Sequence, residues 1–449
     1  MRKKGKQKER LFRSRRLKKL QRRKQKRTYR PSKSIYRNTD ESSDDIVGSN
    51  YKKVLKCLEK SNFVLPKLQY RPKQVERIRI PEVFSIAEDP ETVIRFLRRM
   101  YTIGKGRTTK EIKFEHADCK RLGLSASTIF DIIVLAIDHY RDVIGKPLDY
   151  SGDIPKNKFV KDILLASGLP YHLKAEYAAL ADEEHMERFE TVSGVYDRTA
   201  NKADTIATKL TEYFNRCLKT QNYELNDRGL SRLSNMLGEV VTNCEIHGGE
   251  ESTWYTQGHY QIQEDDSYGE MQLLFLNIGS TIYEGMKNHS SEETKIKIRH
   301  IMGKQRNNID KTWTEEMIYT LFALQEGVSR LRDEKIEGYS ARGSGTVNLI
   351  ESFYDIGECD KGLKPQMSIL SGSTQIIFTD KYKLEDVFFE TDDVFQGHTK
   401  IIAFNEQNDI YQKADPDNVK KLNEYFPGTV ISLKFYLDKR FIARRKADK

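Results

Sequence analysis

Residues 238–248 read Gly238-Glu239-Val240-Val241-Thr242-Asn243-Cys244-Glu245-Ile246-His247-Gly248. They close an amphipathic helix that Asp227 is expected to cap, with Leu233, Leu237, Val240 and Cys244 on one stripe. Gly248-Gly249 stops it, because glycine accepts the backbone angles that end a helix. Glu239 and Asn243 are four residues apart, so they share a face beside the apolar stripe. A carboxylate there can serve as a general base on water or a hydroxyl. An amide oxygen one turn later can ligate Mg²⁺, a hard ion that takes oxygen donors and bridges to phosphates. His247, one further turn along, is placed to meet a phosphate oxygen. Taken alone, the Glu239/Asn243 pair is explained more simply as a solvated polar face.

Working outward, residues 191–196 have the pattern of a strand. Residues 204–220 have helical spacing at Ile206, Leu210, Tyr213, Phe214 and Cys217. Downstream, 271–276 is a short, continuously apolar strand that runs into Asn277-Ile278-Gly279-Ser280. A polar side chain at the end of a buried strand can read the edge of a base, and Gly279 lets backbone approach a ring. Thr314 is expected to cap a helix over 315–331. Arg342-Gly343-Ser344-Gly345-Thr346 leads into an apolar helix, 347–353. Glycines before a helix start present free N–H groups to an anion, and Arg342 adds a positive charge. No Gly-Lys-Ser/Thr follows, so this is not a Walker loop. Residues 366–370, 375–378 and 429–436 read as late strands. Helices followed mostly by strands predict an α+β fold with an antiparallel or mixed sheet.

These segments, in this order, resemble the ATP-binding domain shared by gyrase, heat-shock chaperones, histidine kinases and mismatch-repair ATPases, the GHKL type. Residues 238–248 look most like the version in anti-sigma-factor kinases. The resemblance spans about 189–437 and implies a two-layer α/β sandwich of the Bergerat type that binds ATP with Mg²⁺. It implies that Glu239 is the base and Asn243 the magnesium ligand. Asn277 and Gly279 fall where the family has an adenine-reading Asp and its glycine. Arg342, Gly343, Ser344, Gly345 and Thr346 fall at the second glycine box. Pro427-Gly428-Thr429-Val430-Ile431-Ser432-Leu433 resembles the closing strand, whose Thr lies near the adenine. Asn277 departs from the family's Asp, and Val347 stands where many relatives have a third glycine. Residues 280–341 are expected to form a long lid over the phosphates.

Ahead of this unit, Asp89-Pro90-Glu91-Thr92 opens a helix to about residue 100, and Ile112 and Phe114 mark a short strand. The Ser-rich loop Leu124-Ser125-Ala126-Ser127-Thr128 precedes an apolar helix over 129–139. Residues 158–167 form another helix, closed by Gly168. The result is a small α/β unit over roughly 75–185. Residues 109–169 loosely resemble a STAS domain. That resemblance implies Ser125 and Ser127 as candidate phosphoacceptors, although a serine that caps a helix is the simpler reading.

The chain has 449 residues, with 77 Lys and Arg against 66 Asp and Glu. The excess is concentrated, because residues 1–30 hold 17 of the basic residues and only one acid, Glu9. The rest is therefore a mildly acidic body behind a basic arm that is expected to be disordered and to bind nucleic acid through phosphate. The five cysteines make no CxxC pair and no zinc spacing, which predicts free thiols. No apolar run suits a membrane span and no signal-peptide core follows the start, so a cytoplasmic protein is expected.

The expected organisation is thus an arm and linker over 1–50, a STAS-like domain over 51–187, and an ATP-binding domain over 188–449. The expected function is an ATP-dependent conformational switch with slow Mg²⁺-dependent hydrolysis that regulates a protein partner or a nucleic-acid-associated process, with dimerisation on ATP as in relatives. The alternatives are an anti-sigma-factor-type protein kinase acting on the STAS-like unit or a partner, and a nucleic-acid-binding scaffold with a degenerate pocket.

Overall fold

The computed structural model describes residues 41–65, 73–173, 185–196, 202–262, 268–328, 345–355, 362–390 and 393–438. The basic arm lies outside the described residues. Helix α1 (Glu41–Lys60) begins inside the stretch read as linker.

Next come strand β1 (Val75–Arg79), β2 (Val83–Phe84), helix α2 (Pro90–Lys105), β3 (Glu111–Glu115), β4 (Arg121–Leu122), α3 (Leu124–Val143), β5 (Asp149–Gly152), α4 (Lys158–Ser167) and the short α5 (Leu169–His172). Strands β1, β3 and β5 form a parallel sheet in that order, and β2 pairs with β4 in parallel. Helix α2 starts where the sequence indicates. The Asp89 side chain accepts the Thr92 N–H at 3.1 Å, and Pro90 occupies the first turn, where no donor is needed. Helix α3 begins five residues earlier than expected, so Ser125 and Ser127 lie in its first turn and not in a preceding loop.

The second half runs β6 (Met186–Val195), α6 (Lys202–Thr220), α7 (Asp227–His247), β7 (Thr253–Ile262), β8 (Tyr268–Ile278), α8 (Ile282–His289), α9 (Glu292–Lys304), α10 (Glu315–Phe322), α11 (Gly345–Asp355), β9 (Gln366–Phe378), β10 (Glu385–Phe389), β11 (Gly397–Ile401) and β12 (Val419–Asp438). Five strands form one sheet in the order β6-β7-β8-β12-β9, and every neighbouring pair is antiparallel. The class is therefore mixed α+β, with a parallel α/β region followed by an antiparallel sheet that carries helices.

Alternation along the strands sends side chains to two faces. Trp254, Tyr260, Leu273, Phe275, Met367 and Leu433 face helices α6 to α11 and form one apolar core with them. Tyr255, Leu274, Leu276, Ile278, Leu370 and Val430 face the other way. They share a second core with Phe84, Ile94, Phe130 and Ile133 of the front unit. The front unit thus covers one face of the sheet, and the five strands lie between two layers. Each large side chain buried in these cores contributes about 2 kcal/mol.

Three local expectations are corrected. The cap of α7 is Asn226, whose side chain accepts the Gly229 N–H at 2.8 Å, and Asp227 is the first helical residue. Helix α10 stops at Phe322 instead of continuing to 331, and Gln325 satisfies the backbone there. Its amide N–H groups reach Leu321 O at 2.7 Å and Ile402 O at 3.1 Å, and its oxygen accepts the Ile402 N–H at 2.9 Å. The segments 366–370 and 375–378 are one strand, β9, irregular at Gly372 (φ 61°) opposite Phe426.

Candidate functional site

The site is built at one end of the antiparallel sheet, where helix α7 finishes. Helix α7 lies on α6 and presents Glu239 and Asn243 on a half-buried flank. Helix α11 packs against α7, and Asn348 Nδ2 donates to Glu239 Oε2 at 3.2 Å. A neutral amide donor holds the carboxylate in position without neutralising it.

Asn277 ends β8 on the helix-bearing face, 4% exposed, directly across from Thr429 of β12. Its carbonyl oxygen accepts the Thr429 N–H at 2.8 Å. Part of the acceptor capacity expected for a base is thus spent inside the sheet, although an amide oxygen has a second lone pair. The Thr429 hydroxyl meets Ser371 Oγ at 3.0 Å. Ser371 also accepts the Ile282 N–H at 2.9 Å and donates to Gly428 O at 3.2 Å. One serine on β9 thereby ties the start of α8 to the Gly428-Thr429 corner.

Gly279 has a different reason from the one expected. A Cβ there would lie 2.5 Å from Gly248 O and 2.6 Å from Ser252 Cβ. The exit of β8 presses against the end of α7, and the Ser280 N–H donates to Gly248 O at 2.8 Å. Gly248 is restricted in turn, since a Cβ there would be 2.5 Å from Asn277 Nδ2. The glycine pair brings the end of α7 to within backbone contact of Asn277. Beyond it, an open cleft of about 640 Å³ is lined by Gly248, Gly279, Ser280, Tyr196 and Lys60.

Of the second glycine box, Gly345 and Thr346 open α11, which is the helix that reaches Glu239. Arg342, Gly343 and Ser344 lie outside the described residues, as does the His247 side chain. The structure pairs Glu239 with Asn348 near the start of α11 and Asn277 with Thr429, and it seats Gly279 on the end of α7; Asn243 lies on α7 between Glu239 and that end. The described part of the expected lid, 280–328, is not a detached flap. Its helices bury Met286, Ile298, Ile301, Met317 and Phe322 in the core. Lys304 lies 6.0 Å from the Tyr411 ring, and the Lys311 carbonyl accepts from Lys421 Nζ.

Ser125 and Ser127 are 5% and 3% exposed, beneath the sheet and not on an open surface. Sequence reasoning missed Asn348 and Ser371. The available signal for Asn348 was a polar residue beside the apolar stripe of 347–353. Ser371 had none, because its role depends on strand pairing.

Among the described residues no helix is long and apolar enough to cross a membrane, and no group of three His, Cys, Asp or Glu could hold a metal by itself. Cys57, Cys119, Cys217 and Cys244 are unbonded. Compared with protein-family models, curated proteins and solved structures, the chain gives no match.

Proposed function

We propose that this protein binds ATP with magnesium at the end of helix α7 and hydrolyses it slowly as a conformational switch. The observation that carries the reading is convergence. Glu239 of α7 is tied to α11 by the Asn348 bond at 3.2 Å, Asn277 of β8 is tied to Thr429 of β12 at 2.8 Å, and the end of the same helix α7 packs on the exit of β8 through Gly248 and Gly279. That is the set of segments that a GHKL-type, Bergerat-fold ATPase requires, with helices on one face of an antiparallel sheet.

In this reading Glu239 takes a proton from the attacking water, and Asn348 fixes its carboxylate. The Asn243 side-chain oxygen would hold magnesium together with phosphate oxygens, an arrangement that needs no carboxylate cluster. Bound magnesium would offset the phosphate charge. Asn277 offers its remaining lone pair to a purine amino group. The start of α11 supplies N–H groups for phosphate.

The kinase alternative loses support from the burial of Ser125 and Ser127 as its acceptors. The test is phosphate release from ATP by the full chain and by Glu239→Gln. Turnover should fall by about 100-fold or more while ATP still binds. Equal turnover in both proteins would remove Glu239 from the chemistry.

A further inference from the structure

A second polar cleft lies on the opposite face of the sheet, away from the ATP site. Its volume is about 230 Å³, several times the ~30 Å³ that a water molecule occupies in the liquid. Both layers build it. Ser85, Arg121, Gly123 and Ser125 come from the front unit, and Gln272 and Lys434 come from β8 and β12.

The N-terminus of α3 opens into this cleft. Helix α3 is 20 residues long, and its N-cap is Gly123, so no side chain caps it. A helix start leaves four N–H groups without helical partners. Here Leu124 N–H donates to Gln272 Oε1 at 2.8 Å and Ser127 N–H to Gly123 O at 3.1 Å. The N–H groups of Ser125 and Ala126 have no partner among the described residues.

The hydroxyls provide an independent observation. Ser85 and Ser125 are 6% and 5% exposed, both line the cleft, and neither hydroxyl makes a hydrogen bond within the protein. Both hydroxyls are left to the cleft, where an occupant or water meets them. Charge favours a negative occupant. The lining acids Glu88 and Glu270 are already paired, with Arg121 at 2.8 Å and Lys434 at 3.2 Å. Lys120 at the rim is paired likewise, with Glu82 at 2.7 Å, so the side-chain charges balance and the preference for an anion comes from the positive end of the α3 dipole.

We infer that this cleft binds a phosphoryl group, either free phosphate or a small phosphomonoester, between the front unit and the sheet. The two hydroxyls and the Ser125 N–H supply three donors to the cleft. A tetrahedral oxyanion with three or more acceptor oxygens uses them more fully than a carboxylate does. The inference is independent of the ATP reading, because the residues belong to the other face.

The test is isothermal titration of the full chain with inorganic phosphate and, separately, glycerol 3-phosphate, at ionic strength held constant with chloride. Saturable binding is expected in the wild type and, unchanged, in Asn243→Ala, which separates this cleft from the ATP site. Ser125→Ala and Ser85→Ala should each weaken it by about tenfold, as expected for loss of a hydrogen bond to a charged group. Both are small truncations, and circular dichroism checks their folding. Tighter binding of glycerol 3-phosphate would assign the site to a phosphomonoester, and equal binding would assign it to phosphate itself. No saturable binding, or binding indifferent to both serine variants, overturns the proposal.

Discussion

Glu239 and Asn348 show how one side chain sets the chemistry of another. The Asn348 amide N–H fixes the orientation of the Glu239 carboxylate. Gly279 carries the other residue-scale constraint. Its Cβ position falls 2.5 Å from the Gly248 carbonyl, which is backbone and cannot rotate away. Gly279→Ala should therefore cost about 1–3 kcal/mol in urea unfolding, as overpacking does. A midpoint equal to wild type would mean that the α7–β8 corner is looser than described. The Glu239/Asn243 spacing was legible in the sequence because a helix repeats every 3.6 residues. The tie from Asn277 to Thr429 was not, because it depends on which of five strands become neighbours.

At the scale of elements, the front unit depends on Arg141 near the end of α3. This guanidinium is 1% exposed and donates to Lys146 O at 2.6 Å, Thr109 O at 2.8 Å, Gly104 O at 3.3 Å and Gly106 O. It closes the end of α2 and the approach to β3 in a single contact set. Arg141→Met fills similar space but leaves those carbonyls unmet, so stability should drop by roughly 3 kcal/mol in chemical denaturation. An unchanged midpoint would contradict this role. Helices α2 and α4 were readable from caps and periodicity, and α7 from periodicity, since its N-cap is Asn226. Strand β7 was not, because its outward positions Gln257, His259 and Gln261 look solvent-facing. They are buried under the front unit, where Gln257 accepts from Thr128 Oγ1, and Gln261 Nε2 donates to Asp162 Oδ2 at 3.1 Å. The polarity of a strand reports only whether its partners are polar, and here the partner is protein.

At the scale of the molecule, burial of titratable groups sets the response to acid. Desolvation pushes His116, His172 and His259 down to about 4 each, so all three are neutral when folded at pH 7. Burial also raises Asp131 well above the carboxylate range, so its 3.9 Å approach to His172 is not an ion pair. A histidine with a lowered folded pKa stabilises fully above its unfolded value of about 6.5 and loses that contribution as pH falls toward 4. Asp138 opposes this. Burial first, and Asp142 second, raise it to about 7, so its contribution is lost as pH rises from about 4 to 7. Asp131, raised in the same way, opposes the histidines too, so the opposition is read from a variant: Asp138→Asn should lose stability faster than wild type between pH 6.5 and 5, by roughly 1 kcal/mol per pH unit. Parallel urea-midpoint profiles for the two proteins would contradict the raised Asp138 carboxyl.

The two faces of the sheet carry different layers, helices α6 to α11 with the proposed nucleotide corner on one and the front unit on the other. The central claim is the magnesium-dependent nucleotide site, and calorimetric ATP binding with and without Mg²⁺ in wild type and Asn243→Ala tests it most directly. Wild type should bind ATP at least about tenfold more tightly with Mg²⁺, and Asn243→Ala should lose that gain. No ATP binding by wild type, or the same magnesium gain in both proteins, would contradict the account.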